Sequence, residues 1–494
     1  MLFNSYSFVL FIAIVVGLHY MQLPWKLKKI NLLLASYLFY AVWNPPFVLL
    51  LWASTALDFF VGRKLYVTRK RHQRKVLLAL SLALNLGMLA FFKYGNFLLQ
   101  NFVTLVSWLG FDYQPAAPDI ILPVGISFYT FQTLSYTLDM YRRRSRPETS
   151  LLDFSLFVTF FPQLVAGPIV RPTELLPQFK TPRQANAAQF TKGLLLLSLG
   201  LFMKVVLADA LLSGAADTVF NAQQSVAMID AWLGVLAFSG QIFFDFAGYS
   251  TCAIGVAACL GFHLPENFRY PYAASGFSDF WRRWHITLSS WLKDYLYIAL
   301  GGNRKTEGRT YINLMITMLL GGLWHGASWT FVVWGALHGS FLVLERIIRK
   351  MQRQPAITKE MNAGEAVVAR ASLLPAFVYG KRFRLVFSML LTFFLVNITW
   401  VFFRAADFAT AGRMLASMFG ITENGIAVLP TIDMIKVAVV TVLLVATHWA
   451  MRNSSVSEVV AKARWWKVGI GWALMLILIV LSQKSSDSFI YFQF

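Results

Sequence analysis

The sequence is a succession of long apolar stretches with very little charge inside them. They fall at approximately 8–22, 30–42, 47–61, 76–92, 120–138, 193–212, 232–260, 312–323, 330–344, 385–402, 435–449 and 468–481. A soluble core cannot absorb so many, and in lipid only helices or closed barrels satisfy their own backbone polar groups. A barrel would show short strands of alternating polarity, which this sequence lacks. Charged residues are only 14%, against about 25% in a soluble domain. The chain is therefore expected to be an all-α, polytopic transmembrane protein. Several stretches are shorter than the ~20 residues of an upright span. That predicts about eleven spans, give or take two, with further re-entrant and interfacial helices.

The net charge of +21 lies between the stretches. Lys26, Lys28 and Lys29 form one cluster, and Arg69, Lys70, Arg71, Arg74 and Lys75 another. Arg142, Arg143 and Arg144 follow, then the segments 346–384 and 462–467. The positive-inside rule places all of them in the cytoplasm. With no soluble basic domain, the expected partner is a lipid bilayer and not nucleic acid. Segment 97–109 contains Gln100 and Asn101. A span there would put Arg142, Arg143 and Arg144 outside, so it is read as interfacial or re-entrant. Both termini then lie on the extracytoplasmic side. The first stretch lacks a basic leader and a small-residue cleavage site, so it reads as a retained span. The hydrophilic segment 349–370 reads as a cytoplasmic loop, and no internal repeat is visible. Residues 1–494 are thus expected to form a single membrane domain. Cys252 and Cys259 lie in an apolar stretch and suggest neither a disulfide framework nor a metal site.

Few polar groups occur at membrane depth. Gln132, Asp139, Gln241, Asp245 and His338 are among them, but His325 stands out, in Gly321-Gly322-Leu323-Trp324-His325-Gly326. An ionisable residue in such a setting is a functional candidate. An imidazole titrates near neutral pH and can serve as a general base; it can equally be a structural histidine bonded between helices. Gly321 and Gly322 predict a break in the span beside it. His338 reads as structural.

A second histidine lies in the segment 277–300, where Trp281, His285, Leu288 and Leu292 share a helical face and Arg282, Arg283 and Lys293 lie off it. This predicts an amphipathic interfacial helix. It is either a plain anchor or a wall where arginine meets a phosphorylated carrier such as coenzyme A. The chain ends Phe489-Ile490-Tyr491-Phe492-Gln493-Phe494, which is either an interfacial aromatic belt or a nucleophilic phenol offered by Tyr491. Nucleophile-elbow, P-loop, dinucleotide-binding and zinc signatures are missing. A transporter whose histidines bind substrate without covalent chemistry is the alternative from another class, but such folds often carry internal repeats.

Several runs together carry a family resemblance. They are Phe243-Phe244-Asp245-Phe246-Ala247-Gly248-Tyr249-Ser250, Pro265-Glu266-Asn267-Phe268 and Asp279-Phe280-Trp281-Arg282-Arg283-Trp284-His285. Trp291-Leu292-Lys293-Asp294-Tyr295, Leu300-Gly301-Gly302-Asn303-Arg304 and Gly321-Gly322-Leu323-Trp324-His325-Gly326-Ala327 continue the pattern. From about 122 to 404 the chain resembles the membrane-bound O-acyltransferase (MBOAT) family, in the bacterial branch that O-acetylates alginate, peptidoglycan and related polymers. The resemblance implies a catalytic core at about 122–404, with C-terminal spans and the aromatic tail at 431–494. It implies His325 as the catalytic histidine in a tunnel joining both membrane faces, with His285 positioning rather than acting as base. Asp245, Trp281, Arg282, Arg283, Asn303, Arg304 and Trp324 would bind the donor or line the tunnel, and Tyr491 would be an acyl relay. It also implies acetyl-CoA as a cytoplasmic donor substrate, no bound cofactor or metal, and the bacterial inner membrane as location. The expected partners are an extracytoplasmic SGNH-type acetyltransferase and a polysaccharide synthesis or export complex.

Overall fold

The computed structural model describes residues 1–116, 118–361, 380–422 and 424–483. Among them the regular structure is helical, apart from a lone bridge between Val226 and Ile426. Seven of these helices are long and apolar enough to cross a membrane, and Tyr6–Tyr20 and Trp465–Leu481 are shorter apolar helices.

Successive helices run back and forth between two ends of the molecule. Helix α1 is Tyr6–Tyr20, α2 Trp25–Ala41, α3 Val48–Val67, α4 Arg71–Trp108 and α5 Ile126–Tyr141. Helix α6 is Leu151–Thr159, and α7 is Ala187–Leu201, which runs on through a π-helical stretch, Phe202–Ser213, and Gly214–Phe220. Then come α8 (Met228–Cys259), α9 (Ile286–Trp291), α10 (Glu307–His325), α11 (Trp329–Met361), α12 (Lys381–Arg404), α13 (Thr431–Ala450) and α14 (Trp465–Leu481).

One end collects the basic clusters, knitted by ion pairs and carbonyl contacts. Lys29 pairs with Asp153, the Arg74 guanidinium donates to the Tyr141 carbonyl, and Arg142 donates to the Asp294 carbonyl at 3.0 Å. Lys350 pairs with Glu307 at 2.6 Å. At the opposite end the Tyr6 hydroxyl donates to Gln483 Oε1 at 3.0 Å, so the described beginning and end of the chain lie on the same side.

Between lipid-compatible helices, burial of apolar surface supplies little drive, and close backbone approach takes over. Helices α7 and α8 cross on glycines. A Cβ on Gly200 would strike the Gly248 carbonyl and Cys252, and one on Gly255 would strike the Gly193 carbonyl and Leu197. The two free cysteines, Cys252 and Cys259, are small buried packing residues of this seam.

Three local expectations are corrected. Segment 97–109 is not re-entrant: up to Trp108 it completes α4, one unbroken helix of 38 residues. At about 57 Å this outruns the ~30 Å hydrocarbon layer. Asn101 sits on the last turns, where its Oδ1 accepts from Trp329 Nε1 at 2.9 Å. Gly321 and Gly322 do not break α10, which runs through to His325. A Cβ on Gly322 would collide with the Phe331 carbonyl, so this glycine lets α10 and α11 pack as a hairpin. Finally, 277–300 is not a continuous amphipathic helix. The short helix Phe277–Phe280 ends, His285 takes a left-handed conformation (φ +43°), and α9 begins after it. Trp284 and His285 are fully buried while the Arg282 and Lys293 side chains stay exposed, so the break turns the middle of the segment inward.

Candidate active site

His325 is the last residue of α10, and Gly326 leaves the helix in an extended conformation. The final carbonyls of a helix have no partner within it. Here α4 supplies them. Lys93 Nζ donates to the carbonyls of Trp324 (2.8 Å) and His325 (3.0 Å), and the Tyr94 hydroxyl donates to the Leu323 carbonyl at 2.6 Å. The imidazole is buried in an aromatic frame of Trp324 and Trp334, both 5.0 Å away and nearly perpendicular, and Phe403 at 5.3 Å.

His285 reaches the same place from the other side. A positive φ is uncommon for a non-glycine residue, and surrounding contacts must hold it. Asn267 does so. Its Oδ1 accepts from the Thr287 backbone N–H (3.3 Å) and hydroxyl (2.9 Å), and its Nδ2 donates to Ser250 Oγ at 3.1 Å. With that amide oriented, the 3.1 Å contact between Oδ1 and His285 Nδ1 assigns the ring proton to Nδ1. Nε2 is then a buried lone pair with no hydrogen-bond partner among the described residues. The ring packs edge-on to Phe246 at 4.6 Å and lies 5.7 Å from Trp324. Trp324 thus touches both histidines.

A cavity at the end opposite the basic clusters is lined by Trp43, Lys93, Pro123, Ser127, Trp324 and His325, among others. A larger groove of about 290 Å³ reaches in from the basic end, past Lys192 and Arg269, to Ser250, Asn267 and Phe268, which support His285.

The remaining candidates are dispersed. The Asp245 carboxylate is bound by Lys204 at 2.5 Å, and Lys204 also pairs with Asp209 at 2.9 Å. It therefore joins the α7–α8 seam, while its neighbour Phe246 faces His285. Trp281 packs on His338 and Trp334. His338 Nε2 lies 3.1 Å from the Thr399 hydroxyl, a structural bond between α11 and α12. Arg283 is engaged internally: Nε donates to Asp279 at 3.0 Å, and Nη1 donates to the carbonyls of Arg452 (3.1 Å) and Arg269 (3.3 Å). Arg282, Asn303 and Arg304 are at the basic end, with Asn303 and Arg304 exposed and the Arg282 side chain largely so. Tyr491 lies outside the described residues.

Sequence reasoning missed Lys93 and Thr287 as site residues, and it took Ser250 and Asn267 only as parts of motifs. Lys93 had a signal, since a lone cation follows the apolar run ending Phe91-Phe92. The others are ordinary polar residues whose roles appear only once the fold brings them to His285.

Residues 140–389 match the membrane-bound O-acyltransferase family, MBOAT. Over 447 residues the chain is 39% identical to a probable alginate O-acetylase of Azotobacter vinelandii, covering 90% of this chain and 83% of that one. It is 37% identical to a probable alginate O-acetylase of Pseudomonas putida, with both chains fully covered. It is 39% identical to the peptidoglycan O-acetyltransferase of Helicobacter pylori, covering 81% of this chain and 75% of that one.

Proposed function

The chain belongs to the membrane-bound O-acyltransferase family, and from that premise we propose that it takes acetyl from acetyl-CoA at the basic end and passes it across the membrane to O-acetylate an extracytoplasmic polysaccharide such as alginate. The observation that carries this reading is the contact chain His285–Trp324–His325, with the groove from the basic end on one side and the opposite cavity on the other. The basic end is cytoplasmic by the positive-inside rule, in a bacterial inner membrane, and the two chain ends are then extracytoplasmic.

The donor thioester enters by the groove. Lys192 and Arg269 line that groove, and the exposed Arg282, Asn303 and Arg304 at the basic end are assigned to its phosphates. His325 removes a proton from the accepting hydroxyl, and that oxygen attacks the acyl carbon. His285, oriented by Asn267, presents Nε2 as an acceptor that aligns the reacting hydroxyl. Tyr491 supplies the first accepting hydroxyl as a relay, and an SGNH-type acetyltransferase in a polysaccharide assembly completes transfer outside. The donor is a substrate, and the reading requires no resident cofactor.

The test uses radiolabelled acetyl-CoA with purified protein in lipid, comparing wild type, His325→Ala and Tyr491→Phe. Label on wild type and on neither variant supports the relay with His325 as base. Label on Tyr491→Phe but not on His325→Ala moves the intermediate elsewhere. If, with partner and acceptor present, wild type cleaves no more thioester than His325→Ala, the proposal fails.

A further inference from the structure

The cavity beside His325 holds a cation that the reaction scheme above does not use. Lys93 lies in the apolar middle of α4, and no Asp or Glu lies within ion-pair distance of it among the described residues. None of the side chains lining the cavity is acidic. Two of its three N–H bonds go to the Trp324 and His325 carbonyls, and Nζ also lies 5.9 Å from the centre of the Trp324 ring; it makes no third hydrogen bond among the described residues. An ammonium kept in a mostly apolar membrane cavity is costly without an anion.

Two further features set the local field. The C-terminal end of α10 carries partial negative charge at His325, which by itself would oppose negative charge forming there. Lys93 sits on those carbonyls and offsets it. The N-terminal end of the 16-residue α5, from Gly125 to Phe128, lines the same cavity with its partial positive charge.

Resting on the acyl-transfer reading, we propose that Lys93 stabilises the oxyanion of the reaction at His325. The accepting hydroxyl gives its proton to His325 as its oxygen bonds to the thioester carbon. The carbonyl π pair moves onto the carbonyl oxygen, which the remaining Lys93 N–H faces. Collapse restores the carbonyl and breaks the C–S bond, and the coenzyme A sulfur takes the proton from His325. A preorganised donor aimed at developing charge acts mainly on turnover and little on ground-state binding.

The test measures coenzyme A release from acetyl-CoA by inverted membrane vesicles of the host, each carrying one form of the full chain as its sole copy. The forms are wild type, His325→Ala, Lys93→Gln and Lys93→Arg. Glutamine keeps a donor for the α10 carbonyls without the charge, and arginine keeps the charge. The proposal expects kcat of Lys93→Gln to fall about 10²–10³-fold. KM for acetyl-CoA should stay within about threefold and melting temperature near wild type, with Lys93→Arg clearly more active than Lys93→Gln. Lys93→Gln with near-normal kcat overturns the proposal, and so does a raised KM at unchanged kcat. Equal loss in both Lys93 variants with lowered melting temperatures also overturns it, assigning Lys93 to the structure of the α10 end alone. Wild type no better than His325→Ala sinks the acyl-transfer reading itself, and this proposal with it.

Discussion

Trp324 lies against both histidines at once, its ring 5.0 Å from that of His325 and 5.7 Å from that of His285. It also stacks on Phe131 at 5.6 Å, which fixes the indole from behind. The indole is therefore the wall that sets the spacing of the two imidazoles. Trp324→Ala should remove that wall and cut kcat at least tenfold, since reacting groups displaced by about an ångström lose rate steeply. Trp324→Phe keeps a stacked ring and should retain most activity. Steady-state acetyl transfer by the two variants checks this, and equal activity would show that the spacing is set elsewhere.

Asn267 defines which nitrogen of His285 is available. Asn267→Leu fills similar space but removes the acceptor for Nδ1–H and for Thr287. We expect kcat to fall about 10²-fold with little change in KM, the size of a lost acid–base or orienting contribution. Asn267→Asp keeps the acceptor oxygen and should be the more active of the two. If Asn267→Leu matches wild type, the orientation of His285 does not matter to the reaction.

Asp279 ties the short helix Phe277–Phe280 to the last turn region after α13. Burial alone would raise its carboxyl, but the Ser275 N–H and the guanidiniums of Arg283 and Arg452 outweigh that and hold it below the ordinary carboxylate value. A depressed folded-state pKa gives stability that is present above the unfolded value, about 3.9, and is lost as pH falls through the folded one. Asp279→Asn should therefore melt lower than wild type at pH 7, and the gap should narrow below about pH 4. A gap that is constant with pH would mean that packing, and not charge, carries the effect.

Much of this was legible in the sequence. The apolar runs and basic clusters dictated a helical membrane protein, because lipid leaves the backbone no alternative and the clusters mark the turns. His325 and His285 stood out as polar groups in apolar or aromatic surroundings, and the structure brings them to one indole. Less legible was anything set by tertiary contact. Gln100 and Asn101 looked like a break, yet a helix that projects past the hydrocarbon tolerates them. The 3–4 spacing from Trp281 to Leu292 looked like one helix, yet the left-handed His285 interrupts it, held by Asn267 from a different segment. Arg283 looked like a phosphate ligand, but its Nε and Nη1 are engaged by Asp279 and two carbonyls.

The α7–α8 seam yields the last prediction. Its glycines carry no chemistry, but Gly248 and Gly255 lie on the helix that bears Phe246, the ring against His285. A side chain at Gly255 would meet the backbone of Leu197 and Gly193, which cannot swing away as a flexible side-chain end can. Forcing α7 and α8 apart also loosens the Lys204–Asp245 pair across the same seam, leaving charge in a low-dielectric interior. Gly255→Leu should therefore lower the melting temperature and acetyl transfer together. Gly469→Leu is the matched control: it lies on α14, where an added Cβ meets nothing within 4 Å. That variant should keep both properties near wild type. Thermal melting in detergent alongside vesicle activity separates the cases, and a Gly255→Leu protein as stable and active as wild type would show that the seam has room the glycine contacts deny.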